Sequence, residues 1–397
     1  MKTIVMREMA YNSIKKLAGK SKTAIDKIIK KEIITLTPKK KSRGEVLLSY
    51  LTKPFIFTLN QSYFSSHTNY WECTQIAQAW MDNGYTVDVI DWDNNSFIPK
   101  KDYAVFIDIH SNMERLAPYM KKNCLKILHI TGAHWLFQNN AEYSRLLSLQ
   151  KRRNITLFPR RTVQPSRGIE YADCATILGN SFTRGTFEYA GKPLYPVHIS
   201  TTTQFPFIEN KDYGQIRKNY VWFGGGGLVH KGLDLVLETF AKLPDYQLTI
   251  CGSVDQESDF KEAYHKELYE TPNIKMAGWV DSTSHQFLDL IRKSIGFIYP
   301  SCSEGGGGSV ITCLHGGLIP IISIESSVDI PDFGILLKDS TIEELIRAVE
   351  KISGLPDADL LIQSKKAWDY VRENHTKERF KSDYDNFIKL TSSFSKL

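Results

Sequence analysis

Residues 295–324 read IGFIYPSCSEGGGGSVITCLHGGLIPIISI, and this stretch carries the clearest indication of the fold class. An apolar strand pattern at Ile295–Tyr299 is followed by a glycine-rich loop and by a helix pattern over residues 308–316. A second apolar strand pattern follows at Leu318–Ile324. Two strands joined by a helix form a βαβ unit with parallel strands. The stretch therefore predicts a doubly wound α/β domain.

The same alternation extends in both directions from this stretch. After the glycine loop and its strand, the pattern predicts a helix at Ile342–Ile352 and two long helices at about 356–373 and 376–392. Before it, the predicted strands are Tyr220–Phe223, Gln247–Cys251 and Ile274–Met276, and further upstream Phe55–Leu59, Thr86–Asp91, Ala104–Ile109, Leu125–Ile130 and Ala175–Leu178. Helix patterns such as Tyr70–Asn83 separate most of these strands. The fold class predicted is α/β, with two Rossmann-like doubly wound domains that face a cleft.

The predicted boundaries divide the chain into an N-terminal extension over residues 1–48, a first Rossmann-like domain over 49–213 and a second over 214–375. The join falls in Phe205–Asn219, which carries few core signals and is typical of a linker. The last segment, residues 376–397, is predicted to cross back to the first domain.

The composition is that of a globular protein, with 42% hydrophobic and 24% charged residues in 397. No apolar stretch approaches the roughly 20 residues that a membrane span needs. The first residues lack the long apolar segment of a signal peptide. Six scattered cysteines without a C-x-x-C pair indicate a reducing cytosol and argue against a structural zinc site.

Residues 1–43 hold 13 Lys and Arg but only three Asp and Glu, whereas the other 354 residues hold 37 and 41. Within this extension, residues 11–34 show apolar side chains at near-helical spacing with lysines between them. Such a helix lies on an anionic membrane surface, packs on the protein body or binds nucleic acid, and we favour the membrane. The net acidic remainder of the chain argues against nucleic acid.

The loop after strand Tyr220–Phe223 is Gly224-Gly225-Gly226-Gly227, followed by Leu228, Val229, His230, Lys231 and Gly232. Glycines between a strand and a helix let backbone N–H groups approach an anion, and a lysine there neutralises a phosphate. Gly226, Gly227 and Lys231 are therefore candidate phosphate-binding residues. A flexible turn with a solvated lysine is the alternative.

The second glycine loop, after Tyr299, gives further candidates for the same site: Glu304, Gly305, Gly306, Gly307, Gly308 and Ser309. Four consecutive glycines are favoured where the backbone approaches a ligand closely. The N-terminus of the following helix offers free N–H groups and a positive dipole to a diphosphate. A carboxylate just before it can accept hydrogen bonds from sugar hydroxyls. A mobile loop with an exposed glutamate is the alternative.

Residues 220–350 resemble the donor-binding domain of family 4 (group 1) retaining glycosyltransferases, which have the GT-B fold. The resemblance rests on Lys231-Gly232, Gly278-Trp279-Val280, Pro300-Ser301, Glu304-Gly305, Gly316-Gly317 and Pro320-Ile321-Ile322, in the family's order and spacing. Residues 54–205 match only loosely. The resemblance implies that Lys231 binds the donor diphosphate and that Glu304 meets the donor sugar. It also makes His134 a catalytic candidate that faces the sugar from the first domain, with a satisfied loop histidine as the alternative; His110 is a weaker candidate.

The sequence departs from the family at two positions of the donor site. Thr312 stands where the family has a second glutamate that usually holds the ribose, so any ribose contact is weaker or differently arranged. Glycines 224–227 occupy the region of an arginine that usually accompanies the lysine. Arg184 is one conceivable substitute.

No metal or cofactor is predicted. Asp91-Trp92-Asp93 has the D-x-D pattern of a metal-bound diphosphate in another glycosyltransferase fold, but a carboxylate is common at a strand end. The resembled fold usually needs no metal, because Lys231 and helix dipoles supply the positive charge.

The sequence thus predicts a retaining, metal-independent glycosyltransferase. Its partners would be a nucleotide-sugar donor, a glycan or lipid-linked acceptor in surface polysaccharide or glycolipid synthesis, and an anionic membrane surface through residues 11–34. We expect a cytoplasmic protein associated peripherally with the membrane. The alternative is a non-catalytic protein of the same fold that binds a nucleotide-sugar or glycan, or serves as a partner subunit.

Overall fold

The computed structural model describes residues 30–56 and 68–394. In the first domain the elements are β1 (Ile34–Leu36), β2 (Glu45–Tyr50), α1 (Lys53–Ile56), α2 (Thr68–Asp82), β3 (Thr86–Asp91), β4 (Val105–Asp108), α3 (Asn112–Leu116), β5 (Leu125–Ile130), α4 (Trp135–Arg153), α5 (Gly168–Tyr171), β6 (Cys174–Ile177), α6 (Ser181–Gly185) and β7 (Leu194–Pro196). The strands form one sheet in the order β1-β3-β2-β4-β5-β6-β7. All its pairs are parallel except β1 with β3.

The second domain contains α7 (Tyr213–Ile216), β8 (Asn219–Phe223), α8 (Leu233–Ala241), β9 (Gln247–Cys251), α9 (Ser258–Ala263), α10 (His265–Tyr269), β10 (Ile274–Gly278), α11 (His285–Arg292), β11 (Gly296–Tyr299), α12 (Gly308–His315), β12 (Ile319–Ser323), β13 (Ile335–Leu337) and α13 (Ile342–Ser353). Two helices, α14 (Asp357–Asn374) and α15 (Lys377–Phe394), end the chain. The sheet is fully parallel in the order β10-β9-β8-β11-β12-β13. The two doubly wound sheets predicted from the sequence are therefore confirmed.

The apolar runs that marked the strands are buried because helices cover both faces of each sheet. All six residues of β3 and all five of β12 are buried. The last helix, α15, returns to the first domain, where Phe380, Tyr384 and Phe387 pack in its core.

Four details differ from the sequence prediction. Residues 55 and 56 of the predicted strand Phe55–Leu59 belong to helix α1, and residues 57–67 lie outside the described part of the chain. The first parallel strand is Glu45–Tyr50, so the predicted boundary at residue 48 falls inside it. Its sequence, EVLLSY, is apolar enough for a strand that pairs on both sides. The prediction assigned most of this strand to the N-terminal extension because it follows a basic cluster.

The predicted amphipathic helix over residues 11–34 is wrong at its end, because Ile34–Leu36 is strand β1, paired antiparallel with β3. Its β-branched Ile34 and Thr35 suit a sheet edge better than a helix. Residues 11–29 lie outside the described residues. The predicted linker also holds core residues, since Phe205, Tyr213 and Ile216 are buried against the second domain.

Within the described ranges, no helix is both long and apolar enough to cross a membrane. All six cysteines are buried and unpaired.

Candidate active site

The two glycine loops meet at one point of the second sheet. Strand order reverses between β8 and β11, which are hydrogen-bonded neighbours, with Gly296 opposite Tyr220. The first loop follows β8 and the second follows β11. In open parallel sheets, ligands bind beyond the carboxyl ends of the strands at such a reversal. The predicted candidates of both loops therefore lie at the expected place for a ligand.

Lys231 and Glu304 form an ion pair at this point. The Lys231 ammonium lies 2.6 Å from Glu304 Oε1 and 2.7 Å from the Tyr299 hydroxyl, which itself donates to Glu304 Oε1 at 2.8 Å. Gly232, the N-cap of α8, positions Lys231. Its φ is positive, at 73°, and its Cα packs closely against Pro300. Tyr299 is the last residue of β11. Two of the three ammonium donors are used inside the protein, which leaves one for a ligand.

Charges around Glu304 keep it ionised. Burial alone would raise the pKa of this carboxyl, but the charges of Lys231 and His230 outweigh burial and lower the pKa to about 2. The pKa of Tyr299 rises well above its usual value, through burial and then the Glu304 charge. The phenol is therefore a neutral donor, and Glu304 is a fixed anion at ordinary pH.

One oxygen of Glu304 carries all the internal hydrogen bonds of the carboxylate. Oε1 accepts from Lys231, Tyr299 and, at 3.1 Å, the Ser301 hydroxyl. No described residue donates to Oε2 at hydrogen-bond distance. The side chain retains 13% exposure. Oε2 is thus available to accept a hydrogen bond from a bound molecule.

The second glycine loop is packed tightly against the protein itself. A Cβ at Gly305 would lie 1.7 Å from the carbonyl oxygen of Thr131, which belongs to the first domain. A Cβ would lie 2.5 Å from Ile199 at Gly306 and 2.4 Å from Val328 at Gly307. The structure thus gives these three glycines a packing reason besides the predicted approach to a ligand. Gly308 has no such neighbour closer than 4.0 Å.

The N-terminus of α12 remains open to an anion. Gly307 precedes the helix with a φ of 64°, and no side chain caps the first turn at Gly308 and Ser309. The Thr312 hydroxyl donates to the carbonyl of Gly308 at 2.8 Å, so its proton is committed within the helix. Thr312 can therefore only accept a hydrogen bond from a ribose. The first-turn N–H groups and the helix dipole favour a diphosphate here.

The first glycine loop already holds an anion of its own. The N–H of Gly227 donates to Glu257 Oε1 at 2.5 Å, and the N–H of Leu228 contacts the same carboxylate at 3.3 Å. The predicted use of Gly227 as a phosphate donor therefore competes with an internal carboxylate. A Cβ at Gly226 would meet only Glu257, at 3.6 Å.

His134 begins helix α4 as its N-cap. Its Nδ1 accepts from the N–H of Leu136 at 3.4 Å, and its Nε2 lies 3.1 Å from the Tyr189 hydroxyl. Tyr189 in turn donates to Glu170 at 2.9 Å. Both ring nitrogens are thus engaged, and burial lowers the pKa of His134, which keeps it neutral. The catalytic role of His134 stays a prediction, beside a structural role that the contacts define.

Helix α4 and the segment after it attach the first domain to the second. Four arginines of this stretch bind acceptors of the second domain: Arg145 the carbonyl of Pro300 at 3.0 Å, Arg152 the carboxylate of Asp234 at 2.6 Å, Arg153 that of Glu267 at 2.6 Å, and Arg160 that of Asp259 at 2.6 Å. These contacts hold the two strand-end loops beside the first domain.

Glu142, His230 and Cys302 form a buried cluster at the same interface. His230 Nδ1 binds Glu142, and its Nε2 lies 2.6 Å from the carbonyl of Ser303. These two contacts engage both ring nitrogens of His230 within the protein.

Both carboxylates of the D-x-D pattern have partners within the first domain. Asp93 forms an ion pair with Lys30, and Asp91 accepts from the Thr52 hydroxyl at 3.3 Å. These partners give both carboxylates structural roles at the end of β3.

A cavity of about 500 Å³ lies at the carboxyl edge of the first sheet. His134 and His110 both line it, with Trp92 and Trp135. His110 Nδ1 is buried without a partner among the described residues. The cavity also reaches Arg161, which connects it to the loops of the second domain.

Tyr299, Glu142 and Arg161 also belong to the site but were not among the residues predicted from the sequence. Tyr299 has a local signal, because the end of a strand before a glycine loop is a usual ligand position. Glu142 and Arg161 have none, because their importance comes from contacts with residues about 70 to 90 positions away.

Comparison with known protein families agrees with the resemblance predicted from the sequence. Residues 209–366 match the family described as glycosyl transferases group 1. The resemblance predicted from residues 220–350 is thus confirmed, over two fifths of the chain. No curated protein matches the chain in sequence at a significant level.

Two solved structures share the fold over most of both chains. Sucrose-phosphate synthase from Thermosynechococcus elongatus superposes with a TM-score of 0.59 at 14% identity, covering 89% of this chain and 100% of that one. HepE from Anabaena, in complex with UDP and glucose, gives 0.52 at 11% identity, with 88% and 99% covered. TarM from S. aureus gives a TM-score of 0.48 at 13% identity. That match covers 71% of this chain and only 54% of the TarM chain. The protein thus has the GT-B fold, and the family match supports glycosyl transfer as its class of reaction.

Proposed function

We propose that this protein is a retaining glycosyltransferase that moves a sugar from a nucleotide-sugar to a glycan or lipid-linked acceptor. The observation that carries the proposal is the ion pair of Lys231 with Glu304, 2.6 Å apart, between the two loops at the strand reversal. It combines a fixed cation, a fixed anion and an open helix N-terminus within one site. A nucleotide-sugar needs all three, because its diphosphate is anionic and its sugar carries hydroxyl groups.

The donor diphosphate would bind the remaining ammonium donor of Lys231 and the first-turn N–H groups at Gly308 and Ser309. Both become more favourable as the bond to the sugar breaks, because negative charge then accumulates on the leaving phosphate. Thr312 would accept one hydrogen bond from the ribose.

Glu304 would hold the donor sugar through Oε2, the oxygen that has no internal partner. A carboxylate with a pKa of about 2 cannot serve as a proton donor at neutral pH. Its role would be to orient the sugar and to stabilise positive charge at the anomeric carbon. The proton of the acceptor hydroxyl would pass to the leaving phosphate, which needs no further base in the protein.

The acceptor would enter through the cavity of the first domain, which His134 and Trp135 line. The reaction would proceed without a metal ion, because Lys231 and the helix dipole carry the positive charge. Surface polysaccharide or glycolipid synthesis at the cytoplasmic side of a membrane fits a lipid-linked acceptor, with residues 11–29 as the basic membrane contact.

The test is a binding and turnover series with the full-length chain. UDP, GDP, ADP, TDP and CMP are added with EDTA, and the unfolding temperature is measured. A nucleotide at 100 times its dissociation constant stabilises the fold by about 2.7 kcal/mol. We expect one nucleotide to do so, and Lys231→Ala to abolish the effect. Lys242→Ala is the control, because Lys242 is an exposed lysine of the same domain.

Turnover is then measured with the sugar nucleotide of the base that binds. We expect Glu304→Gln to lower kcat by about 100-fold or more while binding persists. NMR of the product would show an unchanged anomeric configuration. Binding with no turnover on any acceptor would favour the non-catalytic alternative, and absence of nucleotide binding would contradict the donor site itself.

A further inference from the structure

Among the described residues of the first glycine loop, Lys231 is the one cation with a donor left for a diphosphate. Residues 224–227 are all glycine, and both ring nitrogens of His230 are already engaged inside the protein. A nucleoside diphosphate that leaves a sugar carries more than one negative charge, and a single ammonium offsets only part of it. Arg184, the conceivable substitute, shows no contact with either glycine loop among the described residues.

Arg161 of the first domain lies directly against the first glycine loop. A Cβ built on Gly227 would be 2.4 Å from Cγ and 2.8 Å from Cδ of Arg161, so the arginine stem occupies the space that only a glycine leaves open. Its charge also acts on the Lys231 cluster, because it helps to lower the pKa of Glu304 and opposes the rise in the pKa of Tyr299.

The Arg161 guanidinium is exposed and forms no hydrogen bond with any described residue. Its neighbours behave differently. Arg160 binds Asp259 at 2.6 Å, and Arg152 and Arg153 bind carboxylates of the second domain. The contrast shows that Arg161 is not needed to hold the domains together. An arginine beside a buried ion pair, with all its guanidinium donors free, is arranged to bind an anion.

The backbone of Arg161 is fixed at both ends although its side chain is free. Its N–H donates to Glu142 Oε1 at 3.2 Å, and its carbonyl accepts from Gln138 Nε2 at 2.5 Å. The other oxygen of Glu142 binds His230, the residue before Lys231. One buried carboxylate therefore sets the positions of both cations, although they belong to different domains.

We propose that Arg161 is the second cation of the diphosphate site and binds the phosphates of a nucleoside diphosphate together with Lys231. The inference rests on the proposed function and adds that the donor site is complete only when the first domain lies against the second. The planar guanidinium can bind two phosphate oxygens at once, which a lysine cannot. Glu142 is the positioning residue for this arrangement.

The experiment measures binding by isothermal titration on the full-length chain, with UDP, GDP and ADP and with the matching nucleosides. For the diphosphate that binds, we expect Arg161→Ala to weaken affinity about 10- to 100-fold. Nucleoside affinity should be unchanged, since the lost contact is to phosphate alone. Arg161→Lys should recover part of the loss. Because Arg161 is exposed, the variant should melt at the temperature of the unmodified protein.

Arg167→Ala is the matched control, since it removes an exposed positive charge that pairs with Glu114 inside the first domain and takes no part in the contacts between domains described above. It should bind the diphosphate within about twofold of the unmodified protein. If Arg161→Ala binds as well as the unmodified protein while Lys231→Ala does not, the inference is wrong and the proposed function stands. If no diphosphate binds the unmodified protein, both are wrong.

Discussion

Glu142 of the first domain hydrogen-bonds His230 of the second, and the two residues are almost fully buried, with side-chain exposures of 2% and 1%. The same carboxylate accepts the backbone N–H groups of Arg160 and Arg161. The residue after His230 is Lys231. This contact between the domains thus adjoins Lys231 in the chain and holds the backbone of Arg161, so domain closure and donor binding depend on the same side chains.

This pair should make stability depend on pH. Burial would lower the pKa of His230, but hydrogen bonds with Cys302 and Glu142 outweigh burial and raise it to about 9. A raised pKa means that the stabilisation is fully present below the unfolded pKa of about 6.5 and is lost as pH rises to 9. We expect His230→Gln to cost on the order of 2 kcal/mol at pH 6 and little at pH 9.

Urea unfolding at pH 6, 7.5 and 9 measures this effect as a difference between variant and unmodified protein. The difference is needed because burial lowers the pKa of Lys211 to about 7, so Lys211 titrates with the opposite sign in this range. His265→Gln is the control, since His265 is exposed and its ion pair with Glu270 lies at the surface. A cost of His230→Gln that stays constant across the pH range would contradict a charged His230.

The glycine loop offers a matched pair of substitutions. Gly305→Ala places a methyl group 1.7 Å from the backbone of Thr131, which cannot move like a side-chain end. We expect a loss of about 1–3 kcal/mol in urea unfolding, with weaker nucleotide binding. Gly308→Ala meets nothing closer than 4.0 Å and should stay within about 0.5 kcal/mol. Equal stability of the two variants would show that the domains do not close as described.

His134 can be tested for its two roles separately. His134→Ala removes the N-cap of α4 and should cost about 1 kcal/mol of stability. His134→Asn keeps a side-chain acceptor for the cap and should restore most of that loss. Because both ring nitrogens are engaged in the structure, we expect turnover of the asparagine variant to stay within about fivefold. A stable asparagine variant with turnover lowered 100-fold would instead establish the predicted catalytic role.

Residues 1–29 should determine membrane binding. The full chain should sediment with vesicles that contain phosphatidylglycerol and not with neutral vesicles, because each lysine near an anionic surface contributes about 1 kcal/mol. Raising the salt concentration should weaken binding. Deleting residues 1–29 should abolish binding and leave the unfolding temperature unchanged, since β1 at Ile34–Leu36 is retained. Unchanged vesicle binding of the shortened chain would locate the membrane contact elsewhere.

Much of the second domain could be predicted from sequence because its signals are local. The strand pattern at Gln247–Cys251 matches the observed strand at both ends, as does Leu125–Ile130 in the first domain. Lys231 and Glu304 were found through glycine loops that stand beside them in the chain. The prediction for the end of the extension was wrong because the signal there is not local. Ile34–Leu36 forms strand β1 by pairing with the edge of β3.

Local patterns in the sequence specify the two doubly wound sheets, since alternating apolar strands and helices bury their surface in only a few ways. They also place glycine, lysine and glutamate at the ends of two strands. Three contacts depend instead on tertiary packing: Thr131 closes over Gly305, Glu142 binds His230, and Arg161 lies on Gly227. These contacts join residues far apart in the chain, and their distances depend on how two separately folded sheets pack together, which no local pattern specifies.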